Sequence, residues 1–177
     1  MRIKALVLFA LALFVMSLSS CTLTLMDDGD REERLKVGDR IPSNVYFITA
    51  DGHDVTSQAL REGDVMLVFF SVTCPDCRQE LPVVQGLYND YRDRVKFYLV
   101  SATDNYRMVE DYFNQSGFTM PFVASDGNFR FAELGRSGRV PTCWFIRNGR
   151  IAGVWYDSPM MSRDDFETVF GRSALTQ

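Results

Sequence analysis

A mixed α/β fold, with a central β-sheet flanked by helices, follows from three observations. The apolar run Val65-Met66-Leu67-Val68-Phe69-Phe70 is nearly unbroken, as in a strand buried on both faces. After it, Leu81, Val84, Tyr88 and Tyr91 recur every three to four residues, the spacing of an amphipathic helix. Nearer the C-terminus, Arg147-Asn148-Gly149-Arg150 separates two apolar runs, and Asn-Gly in that setting is the strongest short signal for a β-hairpin. Strand, helix, strand, helix, then hairpin and helix describes a mixed sheet with helices on both sides.

Taken in chain order, Val45-Tyr46-Phe47-Ile48-Thr49 predicts a first strand, and Asp51-Gly52 the turn after it. Thr56 to Leu60 reads as a helical turn ended by Gly63. The buried strand at 65–70 then feeds a helix that begins at Cys74, with Pro82 inside it, where a kink is expected. Val95 to Val100 is the next strand. Tyr106, Val109, Tyr112 and Phe113 mark a second amphipathic helix, closed by Gly117. Met120-Pro121 and Asp126-Gly127 are turn signals ahead of a short helix at Phe129 to Leu134. Cys143 to Ile146 and Ile151 to Trp155 form the hairpin, and Arg163 to Phe170 the closing helix. No internal repeat or low-complexity stretch interrupts this order.

The N-terminus has a different character. Arg2 and Lys4 precede the apolar run Ala5 to Met16, and Ser17-Leu18-Ser19-Ser20-Cys21 follows, which reads as an export signal over residues 1–20. Leu18-Ser19-Ser20-Cys21 resembles the bacterial lipobox, in which the Cys is lipidated and becomes the first mature residue. The alternative is an uncleaved anchor, since Ile3 to Met26 exceeds the roughly 20 residues a membrane-spanning helix needs. Residues 21–36, with Asp27-Asp28-Gly29-Asp30-Arg31-Glu32-Glu33-Arg34, suit a solvated tether, which leaves 37–177 as one domain. The formal charge of −4, more negative once Arg2 and Lys4 are removed, argues against a nucleic-acid partner. It leaves membrane contact to acyl chains.

Of the four cysteines, Cys21 is assigned to lipid, Cys74 and Cys77 form a pair, and Cys143 is left over. With His53 the only histidine and no second Cys pair, a structural zinc site is not expected. Cys74-Pro75-Asp76-Cys77 sits where a strand meets a helix. There, unpaired backbone N–H groups favour a thiolate on Cys74. Asp76 acts in the opposite direction, because a nearby carboxylate disfavours a second negative charge. A less stabilised thiolate weakens the reduced form, which tilts the pair towards work as a reductant. No cofactor is expected beyond a redox-active Cys74–Cys77 disulfide.

Cys74-Pro75-Asp76-Cys77-Arg78-Gln79-Glu80-Leu81-Pro82 resembles the C-x-x-C-x-x-E-x-P signature of the TlpA/ResA-like branch of the thioredoxin superfamily. Val37-Gly38-Asp39-Arg40-Ile41-Pro42 resembles that branch's entry, and Val140-Pro141-Thr142 its cis-proline segment. The resemblance implies a thioredoxin fold with an N-terminal β extension. It implies Cys74 as attacking thiol, Cys77 as resolving thiol, and Pro141 in the cis form. Val140, Pro141, Pro75 and Asp76 would then meet substrate. Glu80 reads either as a proton acceptor for Cys77 or as an acidic residue placed favourably against the helix dipole. Val68 stands where thioredoxins proper carry a buried Asp, and Thr73 where they place Trp. Cys143 reads as a small core side chain, with a third redox centre as the alternative.

The function expected is thus a membrane-tethered, extracytoplasmic thiol–disulfide oxidoreductase, facing the periplasm and reducing protein disulfides with electrons from an envelope donor. Two other readings compete with it. A peroxiredoxin-like peroxidase would show Pro and Thr where this chain has Leu67 and Ser71, and a non-redox binding module would not need both Cys74 and Cys77.

Overall fold

The computed structural model describes residues 35–43, 46–48, 54–101, 103–124, 140–156 and 161–171. The export signal, Cys21, most of the tether, His53 and the helix expected at 129–134 lie outside the described residues.

The buried run forms β3 (Asp64–Phe70), after a small antiparallel pair, β1 (Tyr46–Ile48) and β2 (Asp54–Thr56). Helix α1 (Pro75–Tyr91), β4 (Val95–Ser101), α2 (Tyr106–Ser116) and β5 (Phe122–Ala124) follow. The chain closes with β6 (Thr142–Arg147), β7 (Arg150–Tyr156) and α3 (Arg163–Phe166), which widens into a π-type turn over Glu167–Gly171. The five-stranded sheet runs β5-β4-β3-β6-β7, parallel from β5 to β3 and antiparallel beyond. This is the mixed sheet that the sequence predicts.

Alternation along β3 separates two cores. Met66, Val68 and Phe70 pack with Leu81, Val84 and Leu87 of α1, Val109 and Phe113 of α2, and Phe166. Val65, Leu67 and Phe69 pack with Ile41, Leu60, Trp144 and Ile151. The β3–α1–β4 and β4–α2–β5 crossovers step the same way across the sheet, so one handedness places both helices on one face. All three described helices share that face. On the other face the described residues place the short helical turn Ala59–Arg61, through Leu60.

Asn148 and Gly149 both take positive φ, 49° and 75°, as a two-residue turn matched to strand twist demands. The incoming segment covers the outer edge of β7, with Gly38 N donating to Ile151 O at 2.8 Å and Ile151 N to Asp39 O at 2.9 Å. Leu35 joins the packed body, its carbonyl accepting from the Tyr156 hydroxyl at 3.0 Å. Two local readings need correction. Thr56 closes a strand rather than opening a helical turn, and the turn lies at Ala59–Arg61, where the Thr56 hydroxyl accepts from Ala59 N. β5 was not expected at all. Among the described residues no helix is long and apolar enough to cross a membrane.

Candidate active site

The site forms where β3 runs into α1. Cys74 is the N-cap, still extended at φ −81° and ψ 122°, and Pro75 follows at the start of the helix, where its missing N–H costs nothing. Cys74 is partly exposed, Pro75 and Asp76 are exposed, and Cys77, one turn into the helix, is fully buried. Cys77 lies one helical turn after Cys74, close enough for the Cys74 thiol to raise its own. Both stand as free thiols.

Burial pushes the Cys77 thiol far above its ordinary range. The Ser71 N–H, 3.4 Å from the sulfur, pulls it back down, whereas the sulfur of Cys74 and the charge of Asp76 raise it further. The same Ser71 accepts from Cys74 N through its carbonyl, so one residue contacts both ends of the pair.

On the open side lies the Val140–Pro141 peptide, in the cis form. The Val140 carbonyl accepts from Cys74 Sγ at 3.5 Å, which places this segment beside the half-exposed thiol. Val140 is half-buried and Pro141 buried. Glu80, one turn along α1 from Cys77, is only 2% exposed. Its Oε1 accepts from Met161 N at 3.1 Å and, more weakly, from Cys143 Sγ at 3.9 Å. Its Oε2 is buried without a hydrogen-bond partner among the described residues. Burial raises Glu80 to about 7 despite the Met161 and Cys143 donors, with the charge of Asp165 adding to the rise.

Cys143 is a buried core residue opposite Val68 in the β3–β6 register, and its thiol also reaches Glu80. Burial and the nearby Glu80 charge push that thiol up, away from the thiolate form. Val68 brings no carboxylate to this core, and the buried carboxyl on α1 is that of Glu80. Cys74, Cys77, Glu80, Val140 and Pro141 therefore converge, with Pro75 and Asp76 on the exposed rim. Among the described residues no group of ligands could hold a metal ion.

Three contributors escaped the sequence reading. Ser71 and the Met161 N–H act through backbone groups, which no side-chain motif announces. Asp104 is buried just past β4, where its carboxylate accepts from Ser71 Oγ, Val72 N and Ser101 Oγ. The only hint of it was an acidic residue close behind a buried strand.

Residues 36–151 match the redoxin family model. The chain belongs to the redoxin family. Among curated relatives it is 28% identical to the thiol-disulfide oxidoreductase ResA of Oceanobacillus iheyensis over 132 residues, 71% of this chain and 67% of that one. It is 31% identical to the sporulation thiol-disulfide oxidoreductase A of Bacillus subtilis over 87 residues, 47% of this chain and 52% of that one. A thioredoxin-family thiol:disulfide interchange protein from Chlorobium tepidum superposes with a TM-score of 0.60 at 23% identity, covering 76% of this chain and 94% of that one. The chain is thus a TlpA/ResA-like member of the thioredoxin superfamily and an oxidoreductase.

Proposed function

We propose that this protein is an extracytoplasmic, membrane-tethered enzyme that reduces protein disulfides by dithiol–disulfide exchange through Cys74 and Cys77. The observation that carries this reading is the asymmetry of the pair. A half-exposed thiol at a helix N-cap stands one helical turn before a buried one, and the open side is lined by the Val140 carbonyl. An attacking thiol must be reachable, and a resolving thiol needs only to reach its partner.

The Cys74 thiolate attacks one sulfur of the substrate disulfide, forming a mixed disulfide and releasing the first substrate thiolate. Cys77 then gives up its proton and attacks the Cys74 sulfur. This closes the Cys74–Cys77 disulfide and frees the second substrate thiolate. Two electrons pass from the dithiol to the substrate, and the freed thiolates are protonated. A buried thiol resists ionisation, so the second step needs a proton acceptor nearby. Glu80, one helical turn beyond Cys77 and raised to about 7, has the proton affinity that suits a base at neutral pH. An extended substrate would lie along Val140 and Pro141 and over Pro75 and Asp76.

The relatives' names support the reaction class. The export signal and the lipobox-like Leu18-Ser19-Ser20-Cys21 support the location, with acyl chains on Cys21 as the anchor. In an oxidising compartment a reductase must be re-reduced by a membrane or envelope donor. Cys77→Ser traps the intermediate: protein substrates should accumulate as reductant-sensitive adducts on Cys74. The absence of such adducts in envelope extracts would refute the reaction. Labelled palmitate should enter the wild type and not Cys21→Ala; equal labelling of both would refute the anchor.

A further inference from the structure

Asp104 is 3% exposed, yet among the described residues the groups that satisfy its carboxylate are all neutral: Ser71 Oγ at 3.1 Å, Val72 N at 2.7 Å and Ser101 Oγ at 2.8 Å. Burying a carboxylate against neutral donors is costly, and an apolar side chain would close the end of β4 without that cost. What the carboxylate adds is a fixed link between the ends of two strands. Ser101 ends β4, while Ser71 and Val72 are the first residues after β3.

Those two loop residues touch the dithiol. Ser71 N donates to Cys77 Sγ at 3.4 Å, and Ser71 O accepts from Cys74 N at 3.2 Å. The hydroxyl polarity is also set. A carboxylate only accepts, so Ser71 gives its single hydroxyl proton to Asp104. The Thr73 hydroxyl, 2.8 Å away, must then donate to Ser71, as Thr73 N does at 3.2 Å. The two hydroxyls and the Val72 and Thr73 N–H groups of this turn therefore all donate along a chain that ends at Asp104. Val72 O accepts from Arg78 Nε at 2.6 Å, tying the same turn to the first turns of α1.

We propose that Asp104 is a positioning residue of the exchange reaction, holding the Ser71–Val72 turn so that the Ser71 N–H meets the sulfur of Cys77 as it becomes a thiolate. The role rests on dithiol exchange as proposed above. It acts on the resolving step in particular. Cys74 attacks from the open side, whereas Cys77 is buried, and the Ser71 N–H is the group that favours its charged form. The other titratable groups near Cys77 are Cys74 and Asp76, which oppose its ionisation, Cys143 on β6, whose own thiol Cys77 raises, and Glu80 one turn along α1, the proton acceptor proposed above.

Stopped-flow reaction of the reduced full-length protein with a chromogenic aromatic disulfide, dithiobisnitrobenzoate, separates the two steps. Attack by Cys74 releases one coloured thiolate, and resolution by Cys77 releases a second. In Asp104→Asn the first phase should stay within about twofold of wild type, while the second slows roughly three- to tenfold, the worth of one hydrogen bond. The pH profile of the second phase should also move to higher pH. Ser71→Ala, which loses only the hydroxyl link, should show an intermediate effect. Thermal melts report whether each variant is folded.

A folded Asp104→Asn with the wild-type second phase and profile overturns the role. Equal slowing of both phases overturns it as well, because that is the signature of a purely structural residue. If Asp104→Asn does not fold, Ser71→Ala decides: an unchanged second phase counts against the proposal and a slowed, shifted one supports it. If the wild type itself never releases a second thiolate, dithiol exchange fails, and the role of Asp104 falls with it for that separate reason.

Discussion

On one face of the central strand, Met66, Val68 and Phe70 lie against the helix that begins at Cys74; on the other, Val65, Leu67 and Phe69 pack against Ile41, Leu60 and Trp144. Both faces exclude water, and both owe that to a strand with no polar side chain between Val65 and Phe70. They differ in what else is buried. The helix face holds the thiols of Cys77 and Cys143 and the carboxyl of Glu80, whose second oxygen has no partner among the described residues. On the opposite face the uncharged indole N–H of Trp144 is likewise buried without a partner among the described residues. The same depth of burial therefore has different consequences. Beneath α1 it shifts buried thiols and a carboxyl, whereas across the sheet it raises the Tyr98 hydroxyl, which is already neutral at physiological pH.

The comparison predicts that the two faces fail in different ways when altered. Cys74→Ser should abolish disulfide exchange outright while leaving thermal stability close to wild type, read by insulin reduction and a melting curve. Leu67→Ala, on the opposite face, should cost about 3–5 kcal/mol of stability through lost burial and a residual cavity. The exchange rate per folded molecule should be unchanged. A drop in that rate would mean that the faces are coupled.

Glu80→Gln tests the helix face directly. The folded pKa of Glu80 lies above its ordinary value, so the folded state binds more protons than the unfolded state between about pH 4.5 and 7. Stability from this group is therefore present at low pH and is lost as pH rises through that window. The loss is up to roughly 3 kcal/mol, at about 1.4 kcal/mol for each tenfold change in proton affinity. Denaturant titrations of Glu80→Gln across the window should lack this decline, and resolution by Cys77 should slow. A wild-type slope in the variant would remove Glu80 from the account.

The smallest effect is expected at Cys143. Its thiol donates weakly to Glu80 Oε1 and favours the ionised carboxyl, so Cys143→Ala should move Glu80 upward from about 7. Carbon-13 NMR titration of the Glu80 carboxyl reads this. A downward move would show that the thiol is not the donor.

Much of this was legible in the sequence, for identifiable reasons. Long apolar runs and helical spacing announce β3, β4 and α1, and Asn148-Gly149 fixes the hairpin. β5 was not legible, because three residues after Pro121 carry too little pattern. Asp54–Thr56 was hidden by its length and by the turn chemistry of Thr56. The dithiol and Pro141 were carried by short motifs. The environment of Glu80 was not, since its firmer donor comes from Met161, on a segment 81 residues away in sequence. Asp104 was silent for the same reason. Its partners at Ser71 and Val72 belong to another strand end, brought close only when β3 and β4 pair.

The direction of the reaction is the central claim, and the reduction potential of the Cys74–Cys77 couple tests it most directly. Strong oxidants of this chemistry stabilise their reduced form as a thiolate. Here burial and the charge of Asp76 both oppose a thiolate on Cys77. Equilibration with a thiol redox buffer should therefore give a potential near that of thioredoxin, about −270 mV. A value near about −120 mV, that of a strong oxidant, would contradict the reductase account.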